Sequence, residues 1–143
     1  MTEEVRMEGL TLTVDDVARS VDFYCNKLGI FNLEWNAVPQ FAMLRIVGGT
    51  VTLGLLSWTQ AEAEGAVRLS RSQASAIHVE LSTDDLDGLY SRLTDKGVNI
   101  DVPPHDEPWE RSMTAFDPDG YSVEFAQGRR GKKASSDRDR QRP

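Results

Sequence analysis

Apolar and polar side chains alternate over residues 9–14, with Leu10, Leu12 and Val14 on one face and Gly9, Thr11 and Thr13 on the other. Period two predicts a half-buried strand. Asp15-Asp16 follows, a pair suited to accept the free N–H groups of a helix start. Val17, Val21, Tyr24 and Leu28 then recur at helical spacing until Gly29 ends the pattern. Phe41 to Ile46 and Thr50 to Leu56 read as strands around Gly48-Gly49, a hairpin signal. Residues 57–75 are polar and irregular and are expected to connect two halves of the chain. Trp58 stands at their start, and the glutamates and alanines of 60–67 favour a short helix.

The pattern then repeats. Ile77, Val79 and Leu81 alternate with His78, Glu80 and Ser82. Asp84-Asp85 precedes a helix carrying Leu86, Leu89, Tyr90 and Leu93, which stops at Gly97. Val98 to Val102 is expected as a strand, and 103–111, with three prolines, as a loop. Met113 to Phe116 and Tyr121 to Phe125 are strands joined by Asp117-Pro-Asp-Gly120. In that turn proline presets φ and glycine accepts a positive φ. Strand, helix and further strands, twice over, predict an α+β fold with helices on one face of a mainly antiparallel sheet. The two halves match at an offset of about 69 positions, which sets His78 against Gly9.

The 143 residues are enough for one domain with a real core. No apolar run reaches the roughly 20 residues of a membrane helix, and the acidic Met1-Thr-Glu-Glu start is not that of a signal peptide. Cys25 is the sole cysteine and is expected to be a small buried hydrophobe. These features point to a cytoplasmic protein. The net charge of -7 is unevenly spread: 128–143 carries seven basic and two acidic residues, and 1–127 nine basic against 21 acidic. An acidic body repels nucleic acid and favours cationic ligands. The 128–143 segment, almost without apolar residues, is expected to be a flexible tail.

If the apolar strand residues pack under helices, their alternates line the opposite face. That face collects Thr11, Thr13, His78, Glu80 and Ser82, with Ser122 and Glu124 from the last strand. His78 and Glu124 supply nitrogen and oxygen donors, half of a site for zinc, nickel, manganese or iron. A bland alternative pairs Glu124 with His78 or with an arginine such as Arg111. Trp35, Phe41, Trp58 and Trp109 lie in or beside loops that would rim the face, as an aromatic ligand requires.

The segment Val14-Asp-Asp-Val-Ala-Arg-Ser-Val-Asp-Phe-Tyr-Cys-Asn-Lys-Leu-Gly29 resembles the opening of the vicinal-oxygen-chelate superfamily. That group includes glyoxalase I, bleomycin-resistance proteins and extradiol dioxygenases. Phe116-Asp-Pro-Asp-Gly-Tyr-Ser-Val-Glu-Phe125 resembles its last hairpin. The resemblance spans about residues 7–127. It implies two βαβββ modules, about 7–57 and 76–127, whose curved sheets form a cup with helices outside. It also implies a small-molecule ligand and a homodimer.

In metal-dependent members four ligands come from matching places. Here His78 and Glu124 stand at the third and fourth. Gly9 stands at the first, and Thr52 or Gly54 at the second, depending on the alignment. The expectation is therefore a binding protein of the bleomycin-resistance type with no complete metal site and no cofactor. Its ligand, aromatic or cationic, would meet Trp35, Phe41, Trp58, Trp109, Arg111, Thr11, Thr52, Glu80 and Ser122. The competing expectation is a divalent-metal-dependent lyase, isomerase or dioxygenase using His78 and Glu124, with Glu80 a substitute ligand. A metal-free enzyme would use Glu124 as base and His78 as its partner or as the acid.

Overall fold

The computed structural model describes residues 2–128 and divides the chain into two compact units with their boundary between Leu69 and Ser70. In the first, β1 (Gly9–Val14) leads to α1 (Val17–Val21), which continues as a π-helical turn over Asp22–Lys27. Then come β2 (Phe31–Ala37), β3 (Phe41–Ile46), β4 (Thr52–Ser57) and the short α2 (Trp58–Ala63). In the second, α3 (Arg71–Ala74) precedes β5 (His78–Thr83), α4 (Leu86–Asp95), β6 (Val102–Asp106), β7 (Arg111–Phe116) and β8 (Ser122–Gln127). Each unit thus holds one βαβββ module of an α+β fold.

The two sheets share one plan. Their orders are β1-β4-β3-β2 and β5-β8-β7-β6. Each first strand runs parallel to the last strand of its module, and the other pairs are antiparallel. Local chemistry starts both helices alike: the Asp16 carboxylate accepts from Arg19 N–H at 3.1 Å and Asp85 from Gly88 N–H at 2.9 Å. Gly29 and Gly97 follow the helices at φ 66° and 84°, a region open to glycine at no cost. Leu12, Val14, Val17, Tyr24, Leu28, Leu44 and Leu55 form the first core. Leu86, Leu93, Met113, Ala115, Val123 and Phe125 form the second.

Three expectations need correction, and one strand was not foreseen. Leu10 shares parity with Leu12 and Val14 but is 38% exposed, near the open start of β1. Residues 31–37, unassigned by periodicity, form β2. It is the outermost strand, and Asn32–Asn36 are exposed on both faces, so burial imposes no alternation. The expected strand at 98–102 begins only at Val102 and runs through Pro103 and Pro104 to Asp106. An outermost strand tolerates proline because its outward side needs no ladder N–H. The short helix expected over 60–67 forms as α2, two residues earlier, but α3 was not foreseen, and Trp58, expected beside a loop, is buried in α2.

The Asp117-Pro-Asp-Gly120 turn forms as expected. The buried Asp117 side chain accepts from Asp119 N–H at 2.8 Å and Tyr121 N–H at 3.0 Å. Beyond Gly128, the expected charged tail lies outside the described residues. Among the described residues, no helix is long and apolar enough to cross a membrane.

Candidate functional site

Strand register decides which side chains share the face opposite each helix. In module two, His78 is opposite Ser122 and Glu80 is opposite Glu124. Next across the sheet, Thr114 is opposite Glu124 and Val102 is opposite Thr114. His78 Nδ1 lies 3.7 Å from Glu124 Oε2, with the two side chains 46% and 20% exposed. Ligand atoms of His78, Glu80 and Glu124 all lie within 4.8 Å of one another. The expected meeting of His78 with Glu124 is observed, and Glu80 joins it.

Ser122 shares the row with His78 but is buried, and its hydroxyl donates to the Ser75 carbonyl at 2.7 Å. It anchors the start of β5 rather than facing solvent. Arg111 does not reach Glu124 either. Its guanidinium donates to Asp87 at 2.9 Å and to Asp106 at 3.4 Å, and the Asp87 bond holds that carboxyl below its ordinary value.

Module one has the same register with other residues. Gly9 is opposite Thr52 and Thr11 is opposite Gly54. Gly54 is in turn opposite Met43, and Met43 is opposite Trp35. Superposing the two registers makes Gly9, Thr11 and Gly54 the counterparts of His78, Glu80 and Glu124. This resolves the second ligand place in favour of Gly54, with Thr52 matching Ser122. A side chain would crowd its neighbours at both glycines, backbone at Gly9 and side chains at Gly54. A Cβ at Gly9 would run into the Thr52 carbonyl and hydroxyl oxygens. One at Gly54 would lie 2.6 Å from Thr11 Oγ1 and 3.2 Å from the Phe41 ring. Thr52 itself donates to the Glu8 carbonyl at 3.3 Å.

The aromatic candidates separate. Trp35 sits on β2, not in a loop, and is 63% exposed; Trp109, in the β6–β7 loop, is 59% exposed. Phe41, half-buried at the start of β3, has the parity of Met43. Trp58 is 7% exposed and stacked under the Arg68 guanidinium at 5.5 Å, so it is a core residue of its unit and not a rim residue.

Three features escaped the sequence reading. Arg45 lies opposite Thr52 and is tied to Glu34 at 2.7 Å; period two along β3 carried that signal. Met43 lies on the same face for the same reason. His105 pairs with Glu107 at 2.9 Å, in and just beyond a strand expected as loop. The Pro103 carbonyl first, and then Glu107, hold the His105 imidazole above its ordinary value. Cys25, expected to be buried, is only half-buried; partial burial, and then the Asp22 carboxylate, push its thiol up and away from reactivity.

Two βαβββ modules, each with a parallel first–last strand pair and a helix over one sheet face, define a class of α+β protein. This chain belongs to the Glyoxalase/Bleomycin resistance protein/Dioxygenase superfamily, whose family model matches residues 6–125. It is 31% identical over 122 residues to the uncharacterized protein YraH of Bacillus subtilis (strain 168), covering 81% of this chain and 93% of that one. Among solved structures it resembles a glyoxalase/bleomycin resistance protein/dioxygenase from Nocardioides. That likeness has a TM-score of 0.73 and 26% identity, covering 89% of this chain and 85% of the other. TnmS3, an antibiotic binding protein from Streptomyces sp. CB03234, shares the fold at a TM-score of 0.67 and 23% identity, covering 89% and 98%.

The four-place metal arrangement implied by the family does not fit these residues. Gly9 and Gly54 offer no side-chain donor, and neither position has room for one without moving its neighbours.

Proposed function

We propose that this protein binds a small aromatic or cationic molecule without the four-place metal site of its metal-dependent relatives. The observation that carries this reading is glycine at two ligand places, with a side chain crowded by Thr52 at Gly9 and by Thr11 and Phe41 at Gly54. Trp35, exposed beside Met43 and on the face shared with Phe41, Thr11 and Thr52, offers a flat apolar surface. Glu80 and Glu124 offer charge for a cation, as does the acidic body over residues 1–127. Trp109 is a further exposed aromatic contact. The fold shared with an antibiotic binding protein supports the reading as analogy only. We further propose a cytoplasmic homodimer that binds no nucleic acid; light scattering on the purified protein tests the dimer.

The test is titration with acridine orange, a cationic aromatic dye, against 9-anthracenecarboxylate, an anionic one of similar size. Saturable quenching of tryptophan fluorescence is expected for the cation, weakened about tenfold or more in Trp35→Ala, with the dye recovered unchanged by mass spectrometry. Absence of saturable binding to either dye would sink the proposal as stated.

A second reading, a divalent-metal-dependent lyase, isomerase or dioxygenase using His78 and Glu124, is favoured by one observation: their donors lie together with Glu80. Turnover of a candidate substrate that stops with a chelator and returns with metal would establish it. A metal-free enzyme with Glu124 as base would instead keep its turnover in the chelator.

A further inference from the structure

Module one carries an arrangement of its own on the sheet face away from its helix. We propose that Arg45 is the specificity-determining residue of that face and that its ligand is an aromatic molecule bearing an oxyanion, a carboxylate in the simplest case. The inference rests on the proposed binding function and adds the charged group that the aromatic part carries.

Strand register lays this face out in rows. Gly9, Thr52, Arg45 and Asn32 are successive partners across β1, β4, β3 and β2, and so are Thr11, Gly54, Met43 and Trp35. Asn32 and Trp35 are three positions apart on β2, so in a regular strand they would point to opposite faces. A bulge at Glu34, where the register shifts between Leu33 and Trp35, puts both on the face of Arg45 and Met43. Bulges re-aim side chains and are frequent beside functional sites. Here the re-aimed side chain is a tryptophan that is 63% exposed. The Phe41 ring, 3.2 Å from where a Cβ of Gly54 would stand, continues the apolar part of the face beside Met43.

The residue that makes the bulge also holds the guanidinium. The Glu34 carboxylate accepts from Arg45 Nε at 2.7 Å, and Arg45 Nη1 makes a long bond to the Gly49 carbonyl at 3.5 Å. Among the described residues, Arg45 Nη2 and the Asn32 side-chain amide have no hydrogen-bond partner. A guanidinium tied through Nε keeps its Nη groups as a fork that matches the two oxygens of a carboxylate. The Arg45 and Met43 rows are about 7 Å apart along β3. At that spacing a ring over Met43 and Trp35 can turn an attached carboxylate toward Arg45. Glu34 and Glu8 both act on the guanidinium, and the acidic body repels anions at long range, so discrimination must come from direct contact. The counterpart of Arg45 in module two is Phe116, so this guanidinium is particular to module one. A cationic group would be served instead by Glu80 and Glu124 of module two.

The experiment is equilibrium dialysis of the full chain against 9-anthracenecarboxylate and against 9-anthracenemethanol, its neutral analogue, read by anthracene absorbance. Wild type is compared with Arg45→Met, which keeps the length of the stem and removes the charge, and with Trp35→Leu. Wild type should bind the carboxylate about tenfold more tightly than the alcohol, the order expected of a hydrogen bond to a charged group. Arg45→Met should lose that preference and hold the alcohol within about twofold of wild type, which also reports that the face is intact. Trp35→Leu should weaken both ligands alike, because the ring contact does not depend on charge. Equal binding of the two anthracenes by wild type would overturn the inference without any variant. So would a carboxylate preference that survives in Arg45→Met. Either result leaves the aromatic reading standing. Binding of acridine orange with neither anthracene would overturn the inference alone, and failure of all three ligands would overturn both proposals.

Discussion

At equivalent points of the two sheets, module one carries Gly9, Thr11 and Gly54, and module two carries His78, Glu80 and Glu124. The scaffold beneath is the same: matched helix caps, matched glycine stops, and a parallel pair closing each sheet. What differs is what the space above the strands contains. In module one, neighbouring atoms occupy the space a side chain would need: Thr52 beside Gly9, and Thr11 with the Phe41 ring beside Gly54. In module two the side chains remain and carry like charges face to face. A duplicated frame therefore does not imply a duplicated site. At Gly9, packing leaves no room for a side chain.

The sharpest way to break that comparison is to refill the empty corner. Gly9→His should not restore a ligand, because its Cβ has no room beside the Thr52 carbonyl. It should instead destabilise the fold by about 3 kcal/mol, the upper range for overpacking, read by chemical denaturation. A stable Gly9→His would show the corner to be soft. Gly54→Ala should cost about 1–2 kcal/mol. Part of that should be recovered in the double variant with Thr11→Ala, since the two sites touch and their effects should not add.

The hairpin turns sharpen the contrast next. The β7–β8 turn is held by the buried Asp117 carboxylate, whereas the β3–β4 turn relies on Gly48 at φ 78° and exposes Val47. Asp117→Ala should cost about 2 kcal/mol, by loss of two hydrogen bonds to backbone N–H groups. Val47→Ala should be near neutral. Equal costs would mean that the Asp117 bonds contribute nothing net.

Smaller still is Arg111→Ala, which removes the ion pairs to Asp87 and Asp106. The loss should be modest and shrink with added salt, as expected for exposed pairs. Because Asp87 is held below its ordinary value, its contribution is present above the unfolded pKa and fades as pH falls through the lower folded one. Wild type and Arg111→Ala should therefore converge in stability at low pH.

The smallest effect has the opposite sign. His105 is held above its ordinary 6.5, so its contribution is full below that value and is lost as pH rises through the higher folded value. His105→Asn should flatten that part of the stability profile; an unchanged profile would remove His105 as its source.

Much of this was legible in the residues. Period-two alternation located β1 and β5, and the paired aspartates located both helix starts, because caps and alternation are local. The repeat made the Gly9–His78 contrast visible without any structure. The outermost strands β2 and β6 were not legible as written, since exposed faces impose no pattern and proline is tolerated there. Choosing Gly54 over Thr52 needed the β1–β4 register, which local sequence does not specify. The Arg111–Asp87 pair spans 24 positions and joins a strand to a helix, so no periodicity announces it. Trp58 looked like a loop aromatic because the helix it begins is only six residues long.

The parallel pairing of β5 with β8 has one more consequence. His78 and Ser122 are register partners, yet the whole of α4, β6 and β7 lies between them in the chain. Their meeting is thus a long loop closure, the kind of contact whose entropy is met before its reward. Helix α4 and the β7–β8 hairpin are local and can form early. On loop-closure grounds the His78–Glu124 contact is expected late in folding, so a probe of that contact should lag probes of α4 and the β7–β8 hairpin.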